Sequence, residues 1–565
     1  MAKNLPVLTP FWLALWAVAM AIGWILPNHY RPWLAFHTDA WIATGMTLAC
    51  ATVSLRTSGD FAVHRIAALV AALIAVPWLQ YGFGLIPQAG VAWISSAYLL
   101  GLFLAMIVGA RWESCSQDQL GDGLFLAIGI AAVLSVGLQL QQWLQLDGLE
   151  LWKMGGGALR PHANLGQPNQ LGTFLLWGVL AVGWGLTRKH LGGWTAGLTA
   201  AFLLFGVALT GSRTAWVSVA LLVGATWRWN RLWSNRHLPW VVTGLGLYFV
   251  VCIATQSWLG SNSLGNASLH PDYLNPTTGQ QRLLAWSAFC DAISHRPWFG
   301  YGWYQVVSAQ MTVAVEHPSL PPGVFTSTHN LFLDLLVWCG VPLGLLVSAS
   351  LLIWFWKKIN AVGEAEDAIL VLFLAVVAVH SMLELPLHYA YVLLPVGLVM
   401  GILNTRLGAA PVFFMARWVS TGAWFSASLV LMLIIRDYMR IEPSHENFRM
   451  ESMRIKVVHL DPPNVLLLTQ WRDFIDVTRI EPRPDMPPAE INQIRRVTNF
   501  FAGPFFIHKL ATALALNHQQ DEAKLWLKRL CRSAPDQECA DARSIWNMQS
   551  LRYPEIAATP WPTPP

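Results

Sequence analysis

A histidine and an amide stand side by side in Ser327-Thr328-His329-Asn330-Leu331-Phe332-Leu333-Asp334, where a polar stretch gives way to an apolar run. A neutral imidazole has the right acidity to take a proton from an attacking hydroxyl. Asn330 is also a good helix N-cap, so the pair could serve only to start a helix. Other polar groups recur at the ends of apolar runs. They are Arg160-Pro161-His162-Ala163-Asn164-Leu165-Gly166-Gln167-Pro168-Asn169-Gln170, Gly211-Ser212-Arg213-Thr214, Gln280-Gln281-Arg282, His295-Arg296-Pro297, and His380 with Glu384 and His388. Several arginines with amides and a histidine suit a phosphate-rich anionic ligand, because guanidinium groups grip phosphate oxygens two at a time and stay charged. Two arginines could offset the charge developing on a departing pyrophosphate.

Each of these residues also has a plainer reading. Arg213 could be a snorkelling anchor and Arg282 an exposed residue on a loop helix. His162, Asn164, Gln167 and Asn169 could satisfy backbone groups in a re-entrant loop. Glu384 and His388 could pair with one another across Pro386.

The elements that must position these groups are membrane spans. The chain has 565 residues, of which 55% are hydrophobic and 12% charged, about half the charged fraction of a soluble protein. Apolar runs near 9–27, 33–54, 64–80, 90–110, 121–142, 170–187, 193–210, 214–230, 238–258, 329–356, 366–383, 388–404 and 416–435 predict an all-α polytopic protein of about 13 (12–14) transmembrane helices. The first run lacks a small-residue cleavage site and is expected to stay in place.

Alternate short loops hold Arg56 and Arg65, Arg111, Arg188 and Lys189, Arg228, Arg231 and Arg236, Lys357 and Lys358, then Arg406 and Arg417. The opposite short loops hold only Arg31, Lys153, Arg160 and Arg213. By the positive-inside rule the cationic series is cytoplasmic, and an odd number of spans puts the long loop and the tail on the other side.

Three regions are expected: a membrane domain over 1–435, a large extracytoplasmic loop over 259–328 within it, and a polar helical tail over 436–565. The strip Gly260-Ser261-Asn262-Ser263-Leu264-Gly265-Asn266 reads as loop, and Gln280 to Ser294 as a helix with Leu283, Leu284, Trp286 and Phe289 on its apolar face. Lys509 to Leu530 reads as a helical pair turning at Asn517, similar to one tetratricopeptide-type hairpin, though a plain pair fits as well. Cys531 and Cys539 lie close enough to form a disulfide in an oxidising compartment. The end, Thr559-Pro560-Trp561-Pro562-Thr563-Pro564-Pro565, reads as disordered. No CxxC, HxxxH or paired-aspartate cluster suggests a metal site.

Several segments resemble a known superfamily. The 327–334 segment with Gly340-Val341-Pro342-Leu343-Gly344 is similar to the signature of the O-antigen ligases and polymerases, as are Thr210-Gly211-Ser212-Arg213-Thr214-Ala215-Trp216 and Arg296-Pro297-Trp298-Phe299-Gly300-Tyr301-Gly302. Two more segments narrow the match to the protein glycosylation ligases: Asn164-Leu165-Gly166-Gln167-Pro168-Asn169-Gln170, and His380–Tyr389 with Leu394-Pro395-Val396-Gly397.

The resemblance implies a bacterial inner-membrane protein O-oligosaccharyltransferase. Such an enzyme moves a glycan en bloc from undecaprenyl pyrophosphate to Ser or Thr of a periplasmic protein such as a pilin, with no metal or cofactor and no nucleic-acid partner. It implies His329 as catalytic base and Arg213 and Arg282 at the pyrophosphate. Arg160, Asn164, Gln167, Asn169, Asn330, Glu384 and His388 are expected to bind substrate. An O-antigen ligase or polymerase acting on sugar hydroxyls stays open, as does a transporter of lipid-linked glycan. Polar groups gathered at one membrane face speak against the transporter.

Overall fold

The computed structural model describes residues 7–154, 160–262, 277–453, 455 and 461–562. Every predicted apolar run falls on helical residues. Among the described residues eight helices are long and apolar enough to cross a bilayer: Arg65–Gly82, Ala89–Cys115, Gln119–Trp143, Pro168–Thr187, Gly193–Thr210, Leu238–Thr255, Leu331–Ala361 and Arg417–Ser452. Pro10–Ile25 and Ala390–Arg406 are shorter apolar helices. Phe36–Arg56, Arg213–Arg228 and Ala365–Ser381 are helices over the remaining runs. The protein is thus a helical, multi-pass membrane protein. One small addition is an antiparallel strand pair, Phe61–His64 with Pro411–Met415.

The chain folds as two compact units. The first comprises Met1–Ala71, Tyr98–Asn275 and Ser350–Leu431. Its helices approach closely because small residues face one another. A Cβ on Gly178 would stand 2.6 Å from the Ala132 Cβ, and one on Gly206 would meet Val136 at 2.6 Å. In an apolar medium such close packing replaces the hydrophobic drive between helices. At one end Arg406 is enclosed by acids. It donates to Asp367 at 2.5 Å, Glu113 at 3.1 Å, Glu364 at 2.8 Å and also to Asp118.

The second unit comprises Ala72–Ala97, Pro276–Ala349 and Met432–Pro565. A core away from the apolar spans is built by the helices Thr469–Arg479, Pro488–Phe500, Pro504–Leu516, Gln520–Ser533 and Asp536–Ser550. Val307 and Met311 of the long loop belong to the same core. The Gly323 amide donates to the Ser533 carbonyl at 2.7 Å, so loop and tail are one packed body here. The helical pair turning at Asn517 is present, and Cys531 and Cys539 form a disulfide.

Two readings of the sequence change. Residues 260–262 belong to the helix Leu238–Asn262, while the rest of that polar strip, 263–266, lies outside the described residues. The terminal segment is ordered through residue 562. Trp546 Nε1 donates to the buried Thr559 carbonyl at 3.0 Å, and Trp561 lies across Trp546 at 6.1 Å. The prolines there discourage helix but do not prevent two tryptophans from packing. Residues 563–565 lie outside the described part.

Candidate functional site

In the second unit the segment around His329 is a braced turn. His329 has φ 57°, the left-handed region that costs a non-glycine residue on the order of 1 kcal/mol. Hydrogen bonds hold it there. Its amide donates to Ser327 Oγ at 3.0 Å, and Ser327 Oγ donates to Asp334 Oδ2 at 2.8 Å. The other oxygen of Asp334 accepts the Thr328 amide at 2.8 Å. Asp334 lies in the first turn of the helix Leu331–Ala361, where the helix dipole favours a carboxylate. Asn330 caps that helix, its Oδ1 accepting the amides of Phe332 at 3.1 Å and Leu333 at 3.2 Å. Its capping role is therefore real. The His329 ring is half-buried, edge-on to Phe325 at 6.2 Å.

Arg282 lies on the helix Thr277–His295, which runs through the predicted 280–294 stretch. One turn on, Trp286 Nε1 donates to the Thr328 carbonyl at 2.9 Å. Residues four apart share a helix face, so Arg282 stands on the side that meets the His329 turn.

The Arg296–Gly302 segment braces the Leu331–Ala361 helix, which starts after His329. Tyr301 N donates to the Val337 carbonyl at 2.8 Å, and Val341 N to the Pro297 carbonyl at 2.7 Å. The Leu331–Ala361 helix kinks at Gly340, where φ is 76° and a Cβ would stand 2.5 Å from the Trp298 carbonyl. Arg296 covers the Tyr301 ring at 4.9 Å.

In the first unit Arg213 is the opening residue of the helix Arg213–Arg228 and is exposed. Ser212 caps it, accepting the Ala215 amide at 3.3 Å. A cation at a helix N-terminus opposes the dipole. Together with the positive end of the helix dipole it makes a place suited to an anion.

Arg160 binds the preceding turn, donating to the carbonyls of Thr210 at 3.0 Å and Gly211 at 3.3 Å, and to Asn169 Oδ1 at 3.5 Å. Asn169 donates on to Glu384 Oε1 at 3.2 Å, and Gln167 to Glu384 Oε2 at 3.4 Å. Arg160, Gln167, Asn169 and Glu384 are therefore one network, tied to the turn that presents Arg213. Asn164 is buried and donates to the Trp24 carbonyl, which makes it a structural tie of the loop. His388 closes the short turn Pro386–His388 and is half-buried.

His162 sets its Nδ1 3.1 Å from its neighbour's carbonyl, Arg160 O, and burial pushes its pKa below the usual histidine range. His29 is lowered too, first by burial and less by the nearby His37 and His162.

Two positioning residues had only weak sequence signals. Asp334 was visible as an acid four residues past the cap. Asp39 was visible as a lone acid in an apolar helix. It accepts the Tyr391 amide at 3.1 Å and the Tyr98 hydroxyl at 3.1 Å, and so holds the helix start that follows the Glu384–His388 turn.

Comparison with known proteins accounts for the pattern. Residues 198–348 match the O-antigen ligase family, 161–184 the protein glycosylation ligase family, and 368–546 the C-terminal region of the virulence factor membrane-bound polymerases. A general O-oligosaccharyltransferase of Acinetobacter baylyi is 30% identical over 541 residues, 92% of each chain. The ComP-specific O-oligosaccharyltransferase of the same organism is 28% identical over 318 residues, 55% of this chain and 56% of that one. The chain belongs to the O-oligosaccharyltransferase family of glycosyltransferase-type membrane enzymes.

Proposed function

We propose that this enzyme glycosylates proteins by transferring an oligosaccharide en bloc from undecaprenyl pyrophosphate to a serine or threonine hydroxyl of an extracytoplasmic protein, a pilin being one candidate acceptor. The observation that carries the reading is the identity of 30% sustained over 92% of the chain. The apolar runs support about 13 spans in the inner membrane, and with an odd count the charge asymmetry of the short loops supports a periplasmic long loop and tail.

In the proposed step, the acceptor hydroxyl attacks the anomeric carbon of the first sugar. Its proton passes to the His329 imidazole as the new C–O bond forms. The old C–O bond breaks, and its electron pair leaves with the pyrophosphate. Arg213 and Arg282 offset the charge that develops there. The network of Arg160, Gln167, Asn169 and Glu384 orients donor or acceptor, with Asn164 fixing its loop and His388 beside Glu384 in sequence. Asn330 fixes the helix start next to the base.

Transfer assays in membranes test this. His329→Ala is expected to lower turnover by 10²-fold or more, the usual worth of a positioned base being roughly 10²–10⁴. Arg213→Ala should lose about as much as one electrostatic donor supplies, roughly 10²-fold. A well-expressed His329→Ala enzyme with full activity would remove the base, and full activity of Arg213→Ala would remove the leaving-group role. Labelled glycan found on lipopolysaccharide and not on protein would favour a sugar-hydroxyl acceptor instead.

A further inference from the structure

Away from these residues, the first unit contains a cleft of about 570 Å³ between the strand pair and the end of the long kinked helix. Its charged lining is cationic, Arg65, Lys357 and Lys358, and His64 and Ser350 add uncharged polar groups. Its other walls include the apolar side chains of Ile66 and Ile353. Lys358 is only 4% exposed, yet among the described residues no carboxylate pairs with it. Its Nζ donates to the Leu403 carbonyl at 3.1 Å and lies 6.0 Å from the Trp354 ring. A buried, unneutralised ammonium is costly and is normally matched by an anion.

A second observation points the same way. Asn404 also lines the cleft and is 1% exposed. Its Oδ1 accepts from Trp354 Nε1 at 2.8 Å, while its Nδ2 has no partner among the described residues. Buried amide donors are rarely left unmade, so this one awaits an acceptor. Beside the cleft the surface is apolar: Ile353 and Trp356 are exposed on the helix, as are Phe413 and Phe414 on the strand and Trp418 just past it. Aromatic and aliphatic side chains at that level suit the headgroup–acyl boundary of a bilayer.

We infer that the cleft bounded by Arg65, Lys357, Lys358 and Asn404 is a binding site for the phosphate headgroup of an anionic glycerophospholipid. The phosphate oxygens accept from Lys358, Asn404 Nδ2 and the two outer cations, and the acyl chains lie along Ile353 and Trp356. Such basic pockets between membrane helices are a recognised chemistry for anionic lipids. The site is separate from the transfer chemistry, since none of its residues belongs to the networks of His329 or Glu384.

Native mass spectrometry of the intact, detergent-purified protein tests this, titrated separately with phosphatidylglycerol, phosphatidylcholine and inorganic phosphate. Phosphatidylglycerol should form one retained adduct, and phosphatidylcholine should not. Lys357 is exposed, so Lys357→Gln keeps the fold and should weaken that adduct about fivefold, the usual worth of one basic residue at a lipid surface. Asn404→Leu should weaken it as well, while Lys189→Gln, in another loop, should leave it unchanged. Equal retention of phosphatidylcholine would overturn the proposal, as would wild-type retention by both cleft variants. Displacement of the lipid by millimolar inorganic phosphate would show that the site takes bare phosphate and not a lipid.

Discussion

Asp334 shows how much of the His329 geometry depends on a residue that does no chemistry. Its two oxygens are both spent on the turn, one on the Thr328 amide and one on the Ser327 hydroxyl, and Ser327 in turn accepts the His329 amide. With that carboxylate removed, Ser327 Oγ and the Thr328 amide lose the acceptor that holds the turn in which His329 is left-handed. A misplacement of about 1 Å can cost roughly 10²-fold in rate. Asp334→Ala is therefore expected to lower transfer on the order of 10²-fold, and Asp334→Asn less, because an amide oxygen can still accept from Thr328 N. Steady-state transfer assays at matched protein levels decide it, and wild-type rates in both variants would show that the brace is dispensable. Asn330 teaches the complementary lesson. The same two letters, His-Asn, were open to a cap and to a base, and the cap is met by Asn330 through the amides of Phe332 and Leu333.

Between elements, the decisive contacts are backbone on backbone. The Arg296–Gly302 turn lies against the kink of the Leu331–Ala361 helix. Both glycines at that contact have positive φ, 67° at Gly300 and 76° at Gly340. A Cβ on Gly300 would stand 2.5 Å from the Val337 carbonyl, and one on Gly340 would meet Trp298 at 2.5 Å. Neither partner is a flexible side-chain tip that could swing away. Gly340→Ala is expected to destabilise the fold by about 2 kcal/mol or more, from strain and overpacking combined. A thermal unfolding midpoint in detergent that matches the wild type would contradict this. The apolar runs made these helices legible, because membrane length and composition are local signals. The kink was legible only in part: Gly340 and Pro342 mark a local break in a run long enough to be broken, but the turn that packs on it lies about forty residues upstream. The bridge from Gln167 and Asn169 to Glu384 was not legible, since it joins residues more than two hundred positions apart. Spacing along a chain carries no record of such a meeting.

At the scale of the whole chain, the tail is more than an appendage, because its core includes Val307 and Met311 from the loop that leads to His329. The stability of that core bears on the site. His508 lies in it, with its ring edge-on to Trp546 at 5.9 Å and its Nε2 unpartnered among the described residues. Burial pushes its pKa down from 6.5 to about 4. The sign then follows from linkage. Between those two values the unfolded chain binds a proton that the folded chain refuses, so stability falls as pH drops from 6.5 toward 4 and levels off below. His508 is not fully sealed from solvent, so its contribution is set at about 1–2 kcal/mol across the window, less than the full shift would give. Replacing it with an apolar side chain removes that proton uptake. His508→Leu should therefore show a shallower decline of its unfolding temperature between pH 6.5 and 4.5 than the wild type, with the difference between the two proteins widening as the solution becomes more acidic. Tryptophan fluorescence during thermal ramps at stepped pH measures it directly. Parallel pH profiles for the two proteins would mean that the histidine is already protonated in the fold, and that the burial around it is looser than its place in the tail core implies.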